Sequence, residues 1–361
     1  MLYSHIKLEA RTSLKKIILD LQSKTFRLGW VLCFLFNTLY ASSNYSIIFV
    51  HIGESLPPHV EIALSQARLF NPNCEIILLT NQALIEKFSP IDTSINVNLV
   101  ALEHIPMTPT HLNWKEHLYI HDWNVYSERF LYLYDFLEWQ PRENIFHMEH
   151  DNLLYVNLEE LLPLFTSLYK GIGATFDNDE RCVCGFLYIH NLKAMACYAQ
   201  FMEACAHLDR SDMQLPSFFK RAKGQKAIDH LPILVSEYVE NQHELESYHH
   251  HKAADKYDFC RNFDLFQSVF DAAALGQYIV GTHRGPPAGF INEACIFDAS
   301  KFKYEWRLDD QNRRIPYIIY NGKGYRINNL HVHSKNLAAF SSRISGPYTL
   351  GHLSPIYLGQ W

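Results

Sequence analysis

SIIFVH at residues 46–51 and EIILLT at residues 75–80 are two short apolar runs in this chain. Between them, residues 60–70 place apolar side chains at the spacing of one helix face, and Asn71-Pro72-Asn73 ends that pattern. Near-continuous apolar strands that alternate with helices are typical of a parallel sheet covered on both faces. The segment therefore predicts an α/β fold.

The rest of the chain continues the alternation of apolar runs and helical periods. No stretch repeats, so residues 44–361 are expected to form a single domain. The patterns predict helices over 127–139, 158–165, 192–207 and 227–246, strands over 144–148, 171–176 and 185–190, a loop-rich stretch over 247–329 and a last element at 329–335.

Composition and charge exclude several classes of protein. Of the 361 residues, 48% are apolar and 19% are charged, which fits a globular chain and excludes a disordered one. The net charge of −6 does not suggest a nucleic-acid partner, which calls for a clustered basic excess. Eight irregularly spaced cysteines favour buried free thiols, with a disulfide framework as the alternative.

The amino terminus has the pattern of a targeting segment. Six basic residues lie within residues 1–27, an uncharged apolar run covers 28–40, and Ala41-Ser42-Ser43 follows. We expect residues 1–43 to be a secretory signal peptide or a membrane anchor, which predicts a protein attached to a membrane or sent to the secretory pathway. The alternative is a helix packed on the domain.

Two phosphate-binding motifs are missing after the first predicted strand. Neither G-x-G-x-x-G nor G-x-x-x-x-G-K-[ST] follows residues 46–51, where the chain reads His51-Ile52-Gly53-Glu54. Dinucleotide binding and a P-loop are therefore disfavoured.

Glu149-His150-Asp151 is an acidic triplet at the end of the predicted strand 144–148. Carboxylates two residues apart on extended chain point to the same side, so both can face one ion. Oxygen ligands of this kind suit Mn²⁺ or Mg²⁺, and ligands of open α/β sheets collect at the carboxyl ends of strands. The alternative is an acidic, solvated turn.

The triplet and its apolar flanks resemble the D-x-D-type motif of GT-A-fold glycosyltransferases, and the order of elements over most of 45–335 resembles that fold. The resemblance implies a mixed, mainly parallel sheet with helices on both faces, in which the first strand and helix hold the nucleotide. It also implies a hexosyltransferase that moves a sugar from a nucleotide-diphosphate sugar, such as a UDP-sugar, to a hydroxyl acceptor such as a glycan.

The same resemblance implies a set of metal ligands for Mn²⁺ or Mg²⁺. The last residue of the motif usually binds the ion directly, which implies Asp151, whereas Glu149 replaces the more common Asp and is the less certain ligand. A third ligand is often a His near the carboxyl end, and His331 and His333 both lie in the element 329–335. His333 is slightly preferred because Ser334 and Lys335 follow it, and the alternative is a core or surface His pair.

Two basic residues are candidates for contact with the donor phosphates. Arg129, in the predicted helix 127–139, has the planar fork that suits a diphosphate. Its alternative role is a surface ion pair with Glu128 or Asp122. Lys335 could neutralise charge on the leaving diphosphate, and a solvated Lys is the alternative.

Asp229 and Glu293 are the candidates for a catalytic base. Asp229 opens the predicted helix 227–246 and could orient an acceptor hydroxyl, although Asp is also a favoured N-cap. Glu293 follows the loop GPPAGFIN, residues 285–292. The His tract 249–251 lacks a spacing typical of metal sites and is expected to be solvated.

Two other functions compete with glycosyl transfer. A nucleotidyltransferase shares a metal site at the sheet end but usually carries a Gly-rich basic loop after the first strand. A sugar- or nucleotide-binding protein without turnover, derived from a transferase, is the third reading, and sugar-nucleotide hydrolysis with and without Mn²⁺ distinguishes it from an enzyme.

Overall fold

The computed structural model describes residues 44–87, 95–118, 124–285 and 288–342. The predicted signal or anchor segment 1–43 lies outside these residues. Within them, no helix combines the length and apolar character that crossing a membrane requires.

The strands and helices follow the predicted alternation over the first half of the domain. The strands are β1 Ser46–Val50, β2 Glu75–Thr80, β3 Asn98–Ala101, β4 Glu143–Met148, β5 Asn152–Leu154, β6 Ile172–Asn178, β7 Arg181–Asn191, β8 Ile228–His230, β9 Ser268–Val269, β10 Lys303–Leu308, β11 Arg314–Tyr320, β12 Lys323–Ile327 and β13 Asn329–His331. The helices are α1 His59–Phe70, α2 Gln82–Ile85, α3 Pro109–Glu116, α4 Asn124–Trp139, α5 Leu158–Leu168, α6 Leu192–Ala204, α7 Leu215–Lys223, α8 Ser236–Glu240, α9 Phe263–Phe266, α10 Ala274–Val280 and α11 Leu337–Phe340.

A seven-stranded sheet in the order β3-β2-β1-β4-β7-β6-β8 forms the centre of the domain. The strands from β3 to β4 pair in parallel, β7 is antiparallel to β4 and β6, and β8 is parallel to β6. The predicted α/β fold with a mixed, mainly parallel sheet is confirmed.

Helices cover both faces of this sheet, as the apolar strands predicted. Phe146 and His147 are neighbours on β4, so their side chains point to opposite faces. The ring of Phe146 packs 4.9 Å from that of Phe165 on α5, and the ring of His147 packs 5.7 Å from that of Phe130 on α4. Helices α4 and α5 therefore lie on opposite sides of the sheet.

The register of the sheet brings the ends of β1 and β4 together, next to the middle of β7. Phe49 of β1 pairs with Met148 of β4, so both strands end at the same edge. On the other side of β4, the backbone N–H of Glu149 donates to the carbonyl of Gly185 on β7 at 3.0 Å. Residues 184–186 of β7 have no paired residue in β6. They form a bulge, which changes the direction of a strand locally.

The predicted helix 227–246 is wrong. Ile228–His230 form β8, which pairs with β6, and only Ser236–Glu240 are helical. Pro232 lies inside the apolar run and cannot continue a helix through it, because it lacks the backbone donor and its ring clashes with the preceding turn. Residues 228–230 instead pair with the edge of β6 and form a strand.

The prediction of a loop-rich stretch over 247–329 is also wrong in its second half. Strands β10, β11 and β12 form antiparallel hairpins that join β9 in a four-stranded sheet. The turn between β11 and β12 is Asn321-Gly322, with φ of 48° and 77°. This dipeptide favours a two-residue hairpin turn because both positions need positive φ.

His230, at the end of β8, is an uncharged imidazole in an aromatic pocket. Its ring stacks on Phe176 with centroids 4.3 Å apart and meets the edge of Phe259 at 5.2 Å. The ammonium of Lys220 lies 2.7 Å from its Nε2. Burial and then the charge of Lys220 lower the pKa of His230 to about 3.

We expect this imidazole to make the domain acid-sensitive. Its folded pKa of about 3 lies below the ordinary 6.5, so the unfolded state binds the extra proton and stability falls as pH drops from about 6.5. The His230 contribution should decrease by roughly 1.4 kcal/mol per pH unit in this range. Urea unfolding of wild type and His230→Gln from pH 7 to pH 5 measures it. The wild type should lose stability faster, and parallel curves would contradict the prediction.

Candidate active site

The acidic triplet lies directly after β4, where the parallel strands β1 and β4 end. Asp151 is buried, with 4% of its surface exposed, and Glu149 is partly buried. Because β4 is held between β1 and β7, the sheet fixes where the two carboxylates stand. This edge is the expected place for a ligand in an open α/β sheet.

A small two-stranded sheet brings the carboxyl-terminal element to the triplet. Strand β5 follows Asp151 and pairs with β13, so that Asn152 lies opposite His331. The backbone N–H of Val332 also donates to the carbonyl of Asp151 at 2.7 Å. As a result, Nε2 of His331 lies 3.1 Å from Oδ2 of Asp151 and 3.4 Å from Oε2 of Glu149.

Glu149, Asp151 and His331 offer ligand atoms that all lie within 4.8 Å of one another. Within the described part of the chain, Oδ1 of Asp151 and Nδ1 of His331 are buried and have no hydrogen-bond partner, although buried polar atoms are usually paired. Two carboxylates and an imidazole are a suitable set for Mn²⁺. The residues present therefore fit a divalent ion.

Electrostatics inside the cluster favour the ionised carboxylates. Burial opposes the charged form of Asp151, but His331 and Lys335 outweigh it and hold the pKa of Asp151 well below its ordinary value. Burial likewise opposes the charged imidazole of His331, whose pKa is nevertheless raised by Asp151 and Glu149. For Glu149, Arg129 and His331 outweigh burial and lower the pKa.

Of the two candidate histidines, the structure places His331 in this cluster and leaves His333 outside it. Strand β13 ends at His331, so the two imidazoles do not continue one extended strand face. His333 stands beside His331, with ring centroids 4.5 Å apart. Burial and then His331 lower the pKa of His333 to about 3. The geometry therefore favours His331 over His333, the histidine that the sequence slightly preferred.

Lys335 is next to the acidic triplet, as its place in the sequence suggested. Its ammonium donates to Oδ2 of Asp151, and its side chain is 41% exposed. It is therefore an exposed ion-pair partner of Asp151 at the solvent side of the cluster.

Arg129 lies under the triplet rather than on the helix surface. Its Nη2 is 2.6 Å from Oε1 of Glu149 and 2.9 Å from Oδ2 of Asp212, and only 7% of its surface is exposed. Its predicted alternative partner Glu128 instead accepts from Lys115 at 2.7 Å, and Asp122 lies outside the described residues. With its Nη2 between two carboxylates, Arg129 is placed to hold Glu149.

Asp212 is a residue that sequence reasoning missed. It precedes α7 in the short polar stretch Ser211-Asp212, where nothing distinguishes it from an ordinary residue before a helix. In the structure it is buried, and burial raises its pKa despite the guanidinium of Arg129. Asp212 holds the guanidinium of Arg129, which in turn contacts Glu149.

A row of three histidines was also missed. Nδ1 of His51, after β1, lies 3.3 Å from Nε2 of His150, and Nδ1 of His150 lies 3.0 Å from Nε2 of His59, the first residue of α1. Burial lowers the pKa of all three, that of His150 to about 4. No spacing in the sequence connects positions this far apart.

The two predicted bases lie elsewhere. Asp229 is in β8, where Oδ1 accepts from the N–H of His230 at 2.9 Å and lies 3.4 Å from Nε of Arg261. It is therefore not a helix N-cap. Glu293 is exposed and lies 3.8 Å from His249 at the surface. Among the described residues, no contact joins either carboxylate to Glu149, Asp151 or His331.

The seven described cysteines are free thiols, as predicted, and Cys33 lies outside the described residues. Cys182 and Cys184 lie on β7 with their sulfurs 3.8 Å apart, and both are buried.

Several solved structures resemble this chain at low sequence identity. No protein-family model matches the chain, and no curated protein matches it. It is similar to mouse xyloside xylosyltransferase 1 in its apo form at 12% identity and a TM-score of 0.39, over 55% of this chain and 90% of that one.

Two further solved structures illustrate the range of these likenesses. The galactosyltransferase LgtC, in complex with donor and acceptor sugar analogues, is 15% identical with a TM-score of 0.32, over 54% of this chain and 77% of that one. A putative glucose-1-phosphate thymidylyltransferase from Bacillus anthracis is 11% identical with a TM-score of 0.33, over 52% of this chain and 85% of that one. Identities and TM-scores this low do not indicate the function of this chain.

Proposed function

We propose that this chain is a metal-dependent glycosyltransferase that moves a sugar from a nucleotide-diphosphate sugar to an acceptor hydroxyl, such as that of a glycan. The observation that carries the proposal is the cluster of Glu149, Asp151 and His331 at the carboxyl edge of the sheet, with ligand atoms within 4.8 Å of one another. The buried Oδ1 of Asp151, which has no hydrogen-bond partner among the described residues, supports it.

In this proposal, Asp151 and His331 are the main ligands of a divalent ion, and Glu149 is the third. When bound, Mn²⁺ or Mg²⁺ supplies Lewis-acid stabilisation for a departing diphosphate. Arg129 and Asp212 hold Glu149 in place, and their burial keeps water away from that side of the cluster.

Two features next to the cluster suit the diphosphate of a nucleotide sugar. Lys335 carries a partly exposed ammonium beside Asp151. Helix α1 begins at His59, which contacts His150 of the triplet. The N-terminus of a helix carries partial positive charge, which favours phosphate oxygens. We therefore place the diphosphate between Lys335 and the start of α1.

The imidazoles of His51, His59 and His150 lie close to the proposed position of the diphosphate. Because burial lowers the pKa of His51, His59 and His150, the row carries little positive charge at neutral pH. The positive charge for the phosphates then comes from Lys335 and the metal ion. We propose a UDP-sugar as the first donor to test and hexosyl transfer as the reaction.

Thermal shift with a panel of nucleotide sugars, with and without Mn²⁺, tests the proposal. A ligand at 100 times its dissociation constant stabilises the folded state by about 2.7 kcal/mol. We expect a rise in Tm of several degrees that needs both Mn²⁺ and one particular nucleotide sugar.

Product analysis of the same samples separates the competing functions. A glycosyltransferase releases a nucleoside diphosphate and free sugar when water replaces the acceptor. A nucleotidyltransferase instead forms sugar 1-phosphate and nucleoside triphosphate when pyrophosphate is supplied. Stabilisation by a nucleotide sugar without turnover would indicate a binding protein, and no effect of Mn²⁺ would refute the metal-dependent proposal.

A further inference from the structure

Asp271 is a fully buried carboxylate that binds three backbone donors. Its Oδ2 accepts from the N–H of His331 and from the N–H of Gly276, both at 2.9 Å, and its Oδ1 accepts from the N–H of Leu275 at 3.0 Å. Only 1% of its surface is exposed. Asp271 therefore joins the start of α10 directly to the backbone of His331.

The turn between Asp271 and α10 is shaped for this contact. Ala273 has φ of 66°, a left-handed conformation that non-glycine residues rarely adopt unless the surroundings impose it. A Cβ at Gly276 would lie 2.2 Å from the carbonyl oxygen of His331 and 2.6 Å from Oδ2 of Asp271. The helix can approach the backbone of His331 this closely because residue 276 has no side chain.

A second path links Asp271 to the strand beside the acidic triplet. The N–H of Asp271 donates to Oδ1 of Asn329 at 3.2 Å, and Nδ2 of Asn329 donates to Oδ1 of Asn152 at 2.7 Å. All three residues are buried. Asp271 thus contacts β13 at both ends, through Asn329 and through His331.

We infer that Asp271 is a positioning residue that fixes the backbone of His331 so that the imidazole faces Glu149 and Asp151. The inference rests on the proposed metal site and adds to it, because Asp271 acts through His331 and does not touch the ligand atoms. Outer-shell partners of this kind typically change metal affinity by 10–100-fold.

Mn²⁺ titration of the full chain, with free Mn²⁺ counted by electron paramagnetic resonance, tests the inference. Asp271→Ala should weaken Mn²⁺ binding by about 10–100-fold. Asp271→Asn keeps one acceptor oxygen and should give a smaller loss. Asp298→Asn is the matched control, because Asp298 caps Ser300 at 2.8 Å in a turn away from the cluster and should leave Mn²⁺ binding within about twofold.

A double-mutant cycle with His331→Ala separates positioning from general loss of structure. If Asp271 acts through His331, then Asp271→Ala should add little to the loss of Mn²⁺ affinity in the His331→Ala background. Additive losses, or wild-type affinity in both Asp271 variants, would overturn the inference. Absence of Mn²⁺ binding by the wild type would instead refute the proposed metal site itself. Asp271→Asn, with its native shape, keeps the test valid if Asp271→Ala does not fold.

Discussion

Asp151→Asn is expected to abolish saturable Mn²⁺ binding and to lower metal-dependent turnover of the donor by about 10²-fold or more. Asp151 contributes the most buried carboxylate of the cluster, and its Oδ1 has no partner among the residues that the structure describes. Asn has the same shape but no charge, so it cannot balance a divalent ion next to His331. The loss should therefore be specific to the metal-dependent reaction.

Circular dichroism and Tm without metal verify that Asp151→Asn still folds. Mn²⁺ should then raise the Tm of the wild type and leave that of the variant unchanged. Asp309→Asn is a suitable control, because Asp309 pairs with Arg313 at 2.7 Å in the β10–β11 turn and is not part of the cluster. Turnover of Asp151→Asn within twofold of the wild type would remove Asp151 from the proposed mechanism.

Arg129→Met is expected to destabilise the domain by about 3–5 kcal/mol. The guanidinium is the partner of two carboxylates, Glu149 at 2.6 Å and Asp212 at 2.9 Å, in a place where little water can replace it. Removing the cation leaves buried charges without compensation, which costs far more than the net contribution of the ion pair.

The pH dependence of Arg129→Met distinguishes this cause from a packing defect. Without Arg129, the pKa of Glu149 should rise above its unfolded value, and that of Asp212, already raised by burial, should rise further. The variant should therefore lose stability as pH increases through the carboxylate range. Its deficit against wild type should therefore be smaller at pH 5 than at pH 8, as measured by urea unfolding.

Two comparison variants sharpen the Arg129 experiment. Arg307→Met removes an exposed pair with Glu305 and should cost no more than about 1 kcal/mol. Adding Asp212→Asn to Arg129→Met should recover part of the loss, because one buried charge is removed with its partner. An equal deficit at both pH values and no recovery would contradict the electrostatic explanation.

The elements that could be predicted from the sequence are those whose pattern is local. β1, α1, β2 and β4 have apolar runs and helical spacing that need no distant partner to be recognised, and the sheet follows from their alternation. The short strand β8 could not be predicted, since its three residues become a strand only by pairing with β6. The dipeptide Asn321-Gly322 is itself a local signal for the β11–β12 hairpin, within a stretch predicted to be loop-rich.

In the candidate site, too, local sequence patterns predict some residues, whereas others are brought in by distant parts of the chain. Glu149 and Asp151 stand out because a buried strand leads directly into them. Choosing between His331 and His333 required knowing where β13 ends, which depends on pairing with β5. Arg129 and Asp212 meet across 83 positions of sequence, so no local pattern could have assigned them to each other.

The pairing of β5 with β13 also has a consequence for biosynthesis. Asp151 and His331 are separated by 180 positions, and translation at about 5–20 residues per second needs roughly 10–40 s to cover that length. During this interval the nascent chain exposes its acidic triplet without the imidazole that completes the cluster. Ribosome-bound fragments ending before β13 should therefore bind no Mn²⁺ with native affinity, and the capacity for catalysis should arise late, in one step, when β13 docks.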